Sequence, residues 1–348
     1  ALMVPKPHEP GKWRLCIDYR ELNSAIVRDR FTIPTTAGIL DRLHGSKVFS
    51  TLDLLWGFWQ IAMDPKDIEK TAFVTDFGSY EWKCLPMGLK NSPSIFQRIM
   101  RQTLGHLPFV EVYIDDILVH SKTEEEHFEH LEQVFECLHK EGLFVKRKKC
   151  KLFQKSVKFL GHVLTADGVK PQHSKCEAVQ AWPPLLNASQ VRQFLGLTGY
   201  YRQFIPGFAT IAKPLFDATK NDHESSWKVM TPEMQQAQQL LKDALCGPQV
   251  LVIPDQQGAW DGSRPYFVVP DVSQVAVGAV LMQDQGKGLQ PIAFESKALT
   301  AAQQNWTTTD RELFGVIHAC QTWKRYLETA EFRVVGDHKP LEALFSPT

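Results

Sequence analysis

The stretch VYIDDIL, residues 112–118, sets two adjacent carboxylates, Asp115 and Asp116, between two apolar, β-branched runs. Val112-Tyr113-Ile114 and Ile117-Leu118-Val119 have strand composition, and Asp tolerates the dihedrals of a tight turn, so a hairpin with the acids at its tip is one reading. Two like charges side by side at a sheet end repel unless a cation offsets them, so a metal site is a second reading, compatible with the first. A third carboxylate at the same point tips the balance. FSTLDLLWGFWQI, residues 49–61, offers one, because Asp53 ends a short strand-like run. Alone, Asp53 reads as a turn residue. Three carboxylates from two strands can hold two divalent ions about 3.5–4 Å apart, which activates a 3′-hydroxyl and stabilises a leaving pyrophosphate.

With 348 residues, 43% hydrophobic and 22% charged, the chain can bury two or three cores and is not disordered. Its formal net charge is zero, so any nucleic-acid footprint must come from segregated charge. Segregation is present. The stretch beginning Glu124-Glu125-Glu126 is acidic, whereas VKRKKCKLFQKSVKF, residues 145–159, carries Lys146, Arg147, Lys148, Lys149, Lys151, Lys155 and Lys158 with no acid. Such a run is either a solvated face or, interleaved with Phe153 and Phe159, a surface for phosphates with ring support. The seven cysteines form no CxxC pair, which points to reduced thiols in an intracellular compartment without disulfides. No apolar run is long enough for a membrane span. His127 and His130 sit one helical turn apart, but with no Cys partners they and His120 read as surface histidines rather than zinc ligands.

Residues 1–164 mix strand-like runs with helices. One helix is expected from residue 124 to 142, with Phe128, Leu131, Phe135 and Leu138 on its apolar face. Residues 165–250 read as helical, with a break at Trp182-Pro183-Pro184 and an amphipathic stretch over 189–204 that Ser189 is placed to cap. From 251 to 348 the pattern is strand-like at 266–269 and 275–282, helical from 309 to 327 and strand-like again at 332–335, a separate α/β unit.

The strings RLCIDYRELN (14–23), FSTLDLLWGFWQI (49–61), EKTAFVTDFGSYEWKCLPMGLKNSPSIFQRIM (69–100), VYIDDILVHS (112–121), KFLGHVL (158–164) and FLGLTGYYRQFI (194–205), in this order, resemble the reverse transcriptase of gypsy-type LTR retrotransposons and related retroviruses. The resemblance covers nearly the whole chain. It implies an α+β right-hand polymerase, with partial fingers and palm over 1–164 and a helical thumb and connection over 165–250. A C-terminally truncated ribonuclease H-like domain follows over 251–348.

Residue by residue, the resemblance implies that Asp53, Asp115 and Asp116 bind two Mg²⁺ ions, for which Mn²⁺ can substitute, aided by the backbone carbonyl of Leu54. Arg14, with Lys6 or Lys12, clamps the incoming triphosphate. Phe58 stacks under the sugar and excludes a 2′-hydroxyl, which disfavours a polymerase of RNA. Met87 and Gly88 lie in the turn approaching the nucleotide, Met87 at a position often Gln or Phe in the family. Phe159-Leu160-Gly161-His162 resembles the primer grip, and Lys146, Arg147, Lys148, Lys149 and Lys151 suit the nucleic-acid backbone. Asp271, Glu312 and Asp337 resemble three of the four ribonuclease H acids, which also bind metal. The fourth would lie beyond Thr348, so that activity is expected to be absent in this stretch, and both ends resemble cut points of a longer polyprotein with protease and integrase neighbours. Val272, where the family usually has Ala, and WDGSRP at 260–265 are departures that read as drift. The implied partners are an RNA or DNA template-primer, an RNA–DNA hybrid and deoxynucleoside triphosphates, not a membrane, and the implied location is cytoplasmic, within virus-like particles. The alternative is a catalytically dead relic or a domesticated nucleic-acid-binding module.

Overall fold

The apolar runs flanking Asp115 and Asp116 pair with each other and with the run ending at Asp53. In the computed structural model, which describes residues 2–5, 11–219 and 230–336, four antiparallel strands form one sheet. Their order is Val110–Tyr113, Asp116–Ser121, Val48–Asp53, Lys151–Gln154. Ser50 stands opposite Val119, Leu52 opposite Ile117 and Asp53 opposite Asp116. Because side chains alternate across a strand, Ser50, Leu52, Ile117, Val119 and Ser121 share one face, and Asp53 and Asp116 project from the other. The first face meets the helices Ser92–Leu104 and Glu124–Lys140, and Leu52, Ile117 and Val119 join Phe96, Met100, Leu131, Val134 and Leu138 in one buried core. This sheet and its helices belong to the first of two compact units, Ala1–Ile39 with Gly45–Phe159; the second is Leu40–His44 with Leu160–Thr348.

The helix Glu124–Lys140 starts where a cap permits: the Thr123 side chain accepts from the Glu126 amide, and three glutamates occupy the positive end of the dipole. Its inward face differs from the expected one. His127, Leu131, Val134 and Leu138 are buried, whereas Phe128 is 65% and Phe135 37% exposed. The histidine expectation is corrected with it. His127 and His120 are buried, and His130 stacks flat on Phe109 at 3.6 Å. Hydroxyls from the sheet supply the polar partners that make a buried imidazole tolerable: Ser50 and Ser121 bond to His127, and Ser46 to His120.

In the second unit the helices His173–Gln180, Ala188–Tyr200, Phe208–Thr219 and Pro232–Leu245 follow a hairpin, His162–Thr165 with Gly168–Pro171, that the all-helical reading missed. Asn187, not Ser189, caps the helix Ala188–Tyr200, its side chain accepting from Gln190. A second sheet runs Leu289–Ala298, Ala276–Asp284, Tyr266–Val272, Phe332–Val334, with the last strand parallel to its neighbour. The strand Leu289–Ala298 has too little alternation to stand out in sequence, and Trp323 divides the expected long helix into Thr308–Thr322 and Lys324–Leu327. Tyr266, Val268, Leu281, Ala319 and Trp323 form the core of this sheet and its helix. Among the described residues no helix is long and apolar enough to cross a membrane, and all seven cysteines are free.

Candidate active site

Sheet register brings together carboxylates that lie far apart in sequence. Asp53 and Asp116 are direct cross-strand partners, and Asp115 occupies the loop of the hairpin one residue before Asp116. The Asp115 carboxylate lies over Gly57, where an added Cβ would stand 3.2 Å from Oδ1. Gly57 (φ 48°) therefore leaves room for the acid as well as supplying the turn. Burial first, and then the charges of Asp116 and Asp53, push the Asp115 carboxyl up to about 6, while Lys149 acts against them. Asp116 is raised too, by burial and by Asp53, again opposed by Lys149. Lys149 Nζ lies 3.0 Å from Asp53 Oδ2.

A divalent ion suits this donor set in its chemistry. All three groups are hard oxygen ligands that repel one another, and Asp115 Oδ1 is buried with no hydrogen-bond partner among the described residues. Among the described residues no three His, Cys, Asp or Glu side chains are arranged to hold an ion as they stand. The Lys149 ammonium supplies positive charge at Asp53.

The hairpin tip is held by a residue that sequence reasoning missed. Ile114, the first loop residue, has φ 54°, a left-handed conformation that a β-branched side chain adopts only under constraint. Gln97, buried on the helix Ser92–Leu104, supplies that constraint: its Oε1 accepts from the Ile114 amide at 2.5 Å and its Nε2 donates to the Val112 carbonyl at 3.0 Å. A polar residue beside Phe96, Met100 and Leu104 on the apolar face of the helix was the available signal.

The other expected nucleotide-site residues of the first unit are spread over several elements. Arg14 is exposed on the strand Trp13–Cys16, opposite Val4, and Lys12 is exposed just before it; Lys6 lies outside the described residues. Leu54 is buried and bridges to Val145. Phe58 packs edge-on against the buried Phe96 at 5.0 Å, so its ring is partly core. The Met87-Gly88 turn is tied down by Asn23, which donates to the Gly88 carbonyl at 2.9 Å and accepts from the Lys90 amide. In the basic stretch Arg147, Lys148, Lys149 and Lys151 are exposed and Lys146 half-buried. Phe159 is buried, so its ring supports the core and not a phosphate surface, whereas Phe153 is 40% exposed.

Within the second unit, Leu160 (φ 46°) and Gly161 (φ 76°) form a left-handed pair held by two tyrosines. Tyr200 donates to the Leu160 carbonyl at 3.0 Å and Tyr201 to the Gly161 carbonyl at 2.8 Å. His162 is buried beside them, bonded to the Leu160 carbonyl, and burial lowers its pKa. Asp271 lies on the strand Tyr266–Val272 and Glu312 on the helix Thr308–Thr322, which packs on that strand; Asp337 is outside the described residues. Val272 has a steric counterpart. A Cβ at Gly315 would approach its Cγ2 to 2.8 Å, so Gly315 makes the space that the larger side chain fills.

Residues 4–164 match the family described as reverse transcriptase (RNA-dependent DNA polymerase), and residues 261–348 match the RNase H-like domain found in reverse transcriptase. The chain is similar to the retrovirus-related Pol polyprotein from transposon 297 of Drosophila melanogaster, at 37% identity over 98% of this chain and 32% of the relative. To that from transposon gypsy of the same organism it is 35% identical, over 95% of this chain and 32% of the relative. It thus spans about a third of the length of these relatives. Among solved structures it resembles a foamy viral protease-reverse transcriptase in complex with double-stranded DNA, with TM-score 0.89 and 27% identity over 99% of this chain and 59% of that one. A second foamy viral structure, in complex with an RNA/DNA hybrid, gives TM-score 0.79 at 26% identity over 99% of this chain and 45% of that one.

Proposed function

This chain belongs to the reverse transcriptase and ribonuclease H region of the gypsy-type retrotransposon Pol polyproteins, and on that premise we propose that it extends a primer 3′-hydroxyl with deoxynucleotides on an RNA or DNA template. Residues 1–164 act as fingers and palm, 165–250 as thumb and connection, and 251–348 as a ribonuclease H module directed at RNA–DNA hybrids. The primer oxygen attacks the α-phosphorus in line, its bond forms as that to pyrophosphate breaks, and the hydroxyl proton leaves to solvent. When bound, two Mg²⁺ or Mn²⁺ ions supply Lewis-acid activation of the hydroxyl and neutralise the leaving group.

Asp53, Asp115 and Asp116 would hold those ions. Arg14 and Lys12 bind the triphosphate, Phe58 packs under the sugar and excludes a 2′-hydroxyl, and Lys146, Arg147, Lys148 and Lys151 engage backbone phosphates. Asp271 and Glu312, with Asp337, would hold the ions of the hybrid-cleaving module. The observation that carries the reading is the Asp53–Asp116 register with Asp115 at the adjoining turn, a grouping of like charges that has no structural benefit without a cation. A second reading, a nucleic-acid-binding module without turnover, is favoured by Lys149 sitting on Asp53. Primer extension on poly(rA) with Mg²⁺ separates them. Template-dependent extension that Asp115→Asn abolishes supports the polymerase, and primer-template binding without extension supports the module.

A further inference from the structure

The first unit contains a buried polar chain that the proposed chemistry does not use. Ser50 Oγ lies 2.6 Å from His127 Nε2, and Ser121 Oγ lies 2.7 Å from His127 Nδ1 and 2.7 Å from His130 Nδ1. Ser50, Ser121 and His127 are all buried. The Phe153 amide donates to Ser50 Oγ at 3.0 Å.

Proton accounting gives this chain a direction. Ser50 Oγ accepts from Phe153, so its own hydrogen has His127 Nε2 as acceptor. His127, neutral, then carries its proton on Nδ1 and donates it to Ser121. The Ser121 hydrogen goes to His130 Nδ1, leaving the His130 proton on Nε2. The reverse direction would leave the buried Ser50 hydrogen without an acceptor. Burial, and secondly the neighbouring His130, hold the His127 pKa down to about 4, in keeping with a neutral ring.

The chain ends on an irregularity of the sheet. Phe49 pairs with Gln154 and Thr51 with Lys151, so the outer strand carries one extra residue opposite Ser50. Within that bulge Phe153 has φ 52°, and its ring meets the His127 ring edge-on at 5.1 Å. The other end of the same segment is fixed by the Lys146 amide, which donates to the Asp53 carbonyl at 2.8 Å. Lys149, the partner of Asp53, lies between these two anchors.

We propose that Ser50 and His127 are a positioning clamp: they hold the extra residue at Phe153 and thereby fix where Lys149 stands against Asp53. The clamp rests on the polymerase reading for its purpose and on the hydrogen bonds for its existence. Without it the outer strand can slip by one residue, and Lys149 loses its register with Asp53.

The test has two arms, both on the full chain. The first does not depend on turnover. Nitrogen-15 spectra should give His127 as the Nδ1–H tautomer and His130 as Nε2–H. Hydrogen exchange at Phe153 should be at least ten-fold faster in Ser50→Ala and His127→Leu than in the wild type, and Mn²⁺ affinity, followed by electron paramagnetic resonance, should change at least three-fold in both. The second arm is single-turnover primer extension. Both variants should lose at least ten-fold in rate while primer-template Kd stays within three-fold, and His127→Gln, whose amide oxygen reaches the Nε2 position, should recover most of the rate. An Nε2–H tautomer at His127 overturns the proposal. So do variants, folded by circular dichroism, whose Phe153 exchange, Mn²⁺ affinity and extension rate match the wild type. If the wild type itself extends no primer, the polymerase reading fails, and the first arm alone decides whether the clamp exists.

Discussion

Replacing Gln97 by methionine, similar in length but without the amide, strips both hydrogen bonds from the Val112–Asp116 hairpin at once. The Ile114 N–H and the Val112 carbonyl are left without their partner beside a core in which Gln97 is only 2% exposed. Each orphaned buried group costs roughly 1–3 kcal/mol, so the two together cost about 2–6 kcal/mol, and the added apolar burial of methionine offsets part of that, leaving a net loss of about 2–4 kcal/mol. Ile114 also loses the bond that holds it at φ 54°, a conformation that stores about 1–3 kcal/mol, so the turn relaxes and moves Asp115. A displacement of about 1 Å at a reacting centre costs on the order of 100-fold in rate. The assay pairs urea unfolding with single-turnover extension below the unfolding midpoint. Gln97→Glu keeps the acceptor for Ile114 but loses the donor to Val112, and should lose comparable or greater stability because it buries a charge. A Gln97→Met variant with under 1 kcal/mol of destabilisation and a wild-type rate would falsify the view that this amide sets the tip.

Asp115→Asn should abolish nucleotide addition with primer-template binding within a few-fold, and should stabilise the metal-free protein. A carboxyl raised from 3.8 to about 6 keeps its proton in the folded state over that range, so its contribution is lost as pH rises from about 4 through 6. Above pH 7 the Asn variant is then favoured by up to about 3 kcal/mol, and an equal unfolding midpoint for both proteins at pH 8 without metal would refute it. Phe58→Ala should raise the ratio of ribo- to deoxynucleotide incorporation; an unchanged ratio makes Phe58 purely a core residue. Neutralising Lys148 and Lys151, sparing Lys149 for its ion pair with Asp53, should flatten log affinity against log salt by up to about 0.9 for each duplex phosphate that the variant no longer neutralises, measured by anisotropy. Gly315→Ala should cost about 1–3 kcal/mol through overlap with Val272 and be relieved in the double variant with Val272→Ala; additive losses in thermal unfolding would deny the overlap.

Motif chemistry and strand alternation were legible in sequence. VYIDDIL announced a hairpin with acids at its turn, the Asp53 run announced a strand, and their neighbours in order announced the family, because these signals are local and need only a few residues to be read. The Thr308–Thr322 helix and the strands Tyr266–Val272, Ala276–Asp284 and Phe332–Val334 were legible for the same reason, as periodicity. What tertiary structure decided was which faces and partners those elements acquired. His127 looked like a surface residue because its sequence carries no trace of Ser50, which reaches it only where the helix packs on the sheet. Phe128 and Phe135 looked buried because apolarity was read without knowing which stripe of the helix faced the sheet. Gln97 looked incidental until the Ile114 backbone needed a partner. Val272 looked like drift until Gly315 was found beside it. Each of these depends on an approach between residues distant in the chain, and a side chain's chemistry states what it can bond but not what folding will place against it.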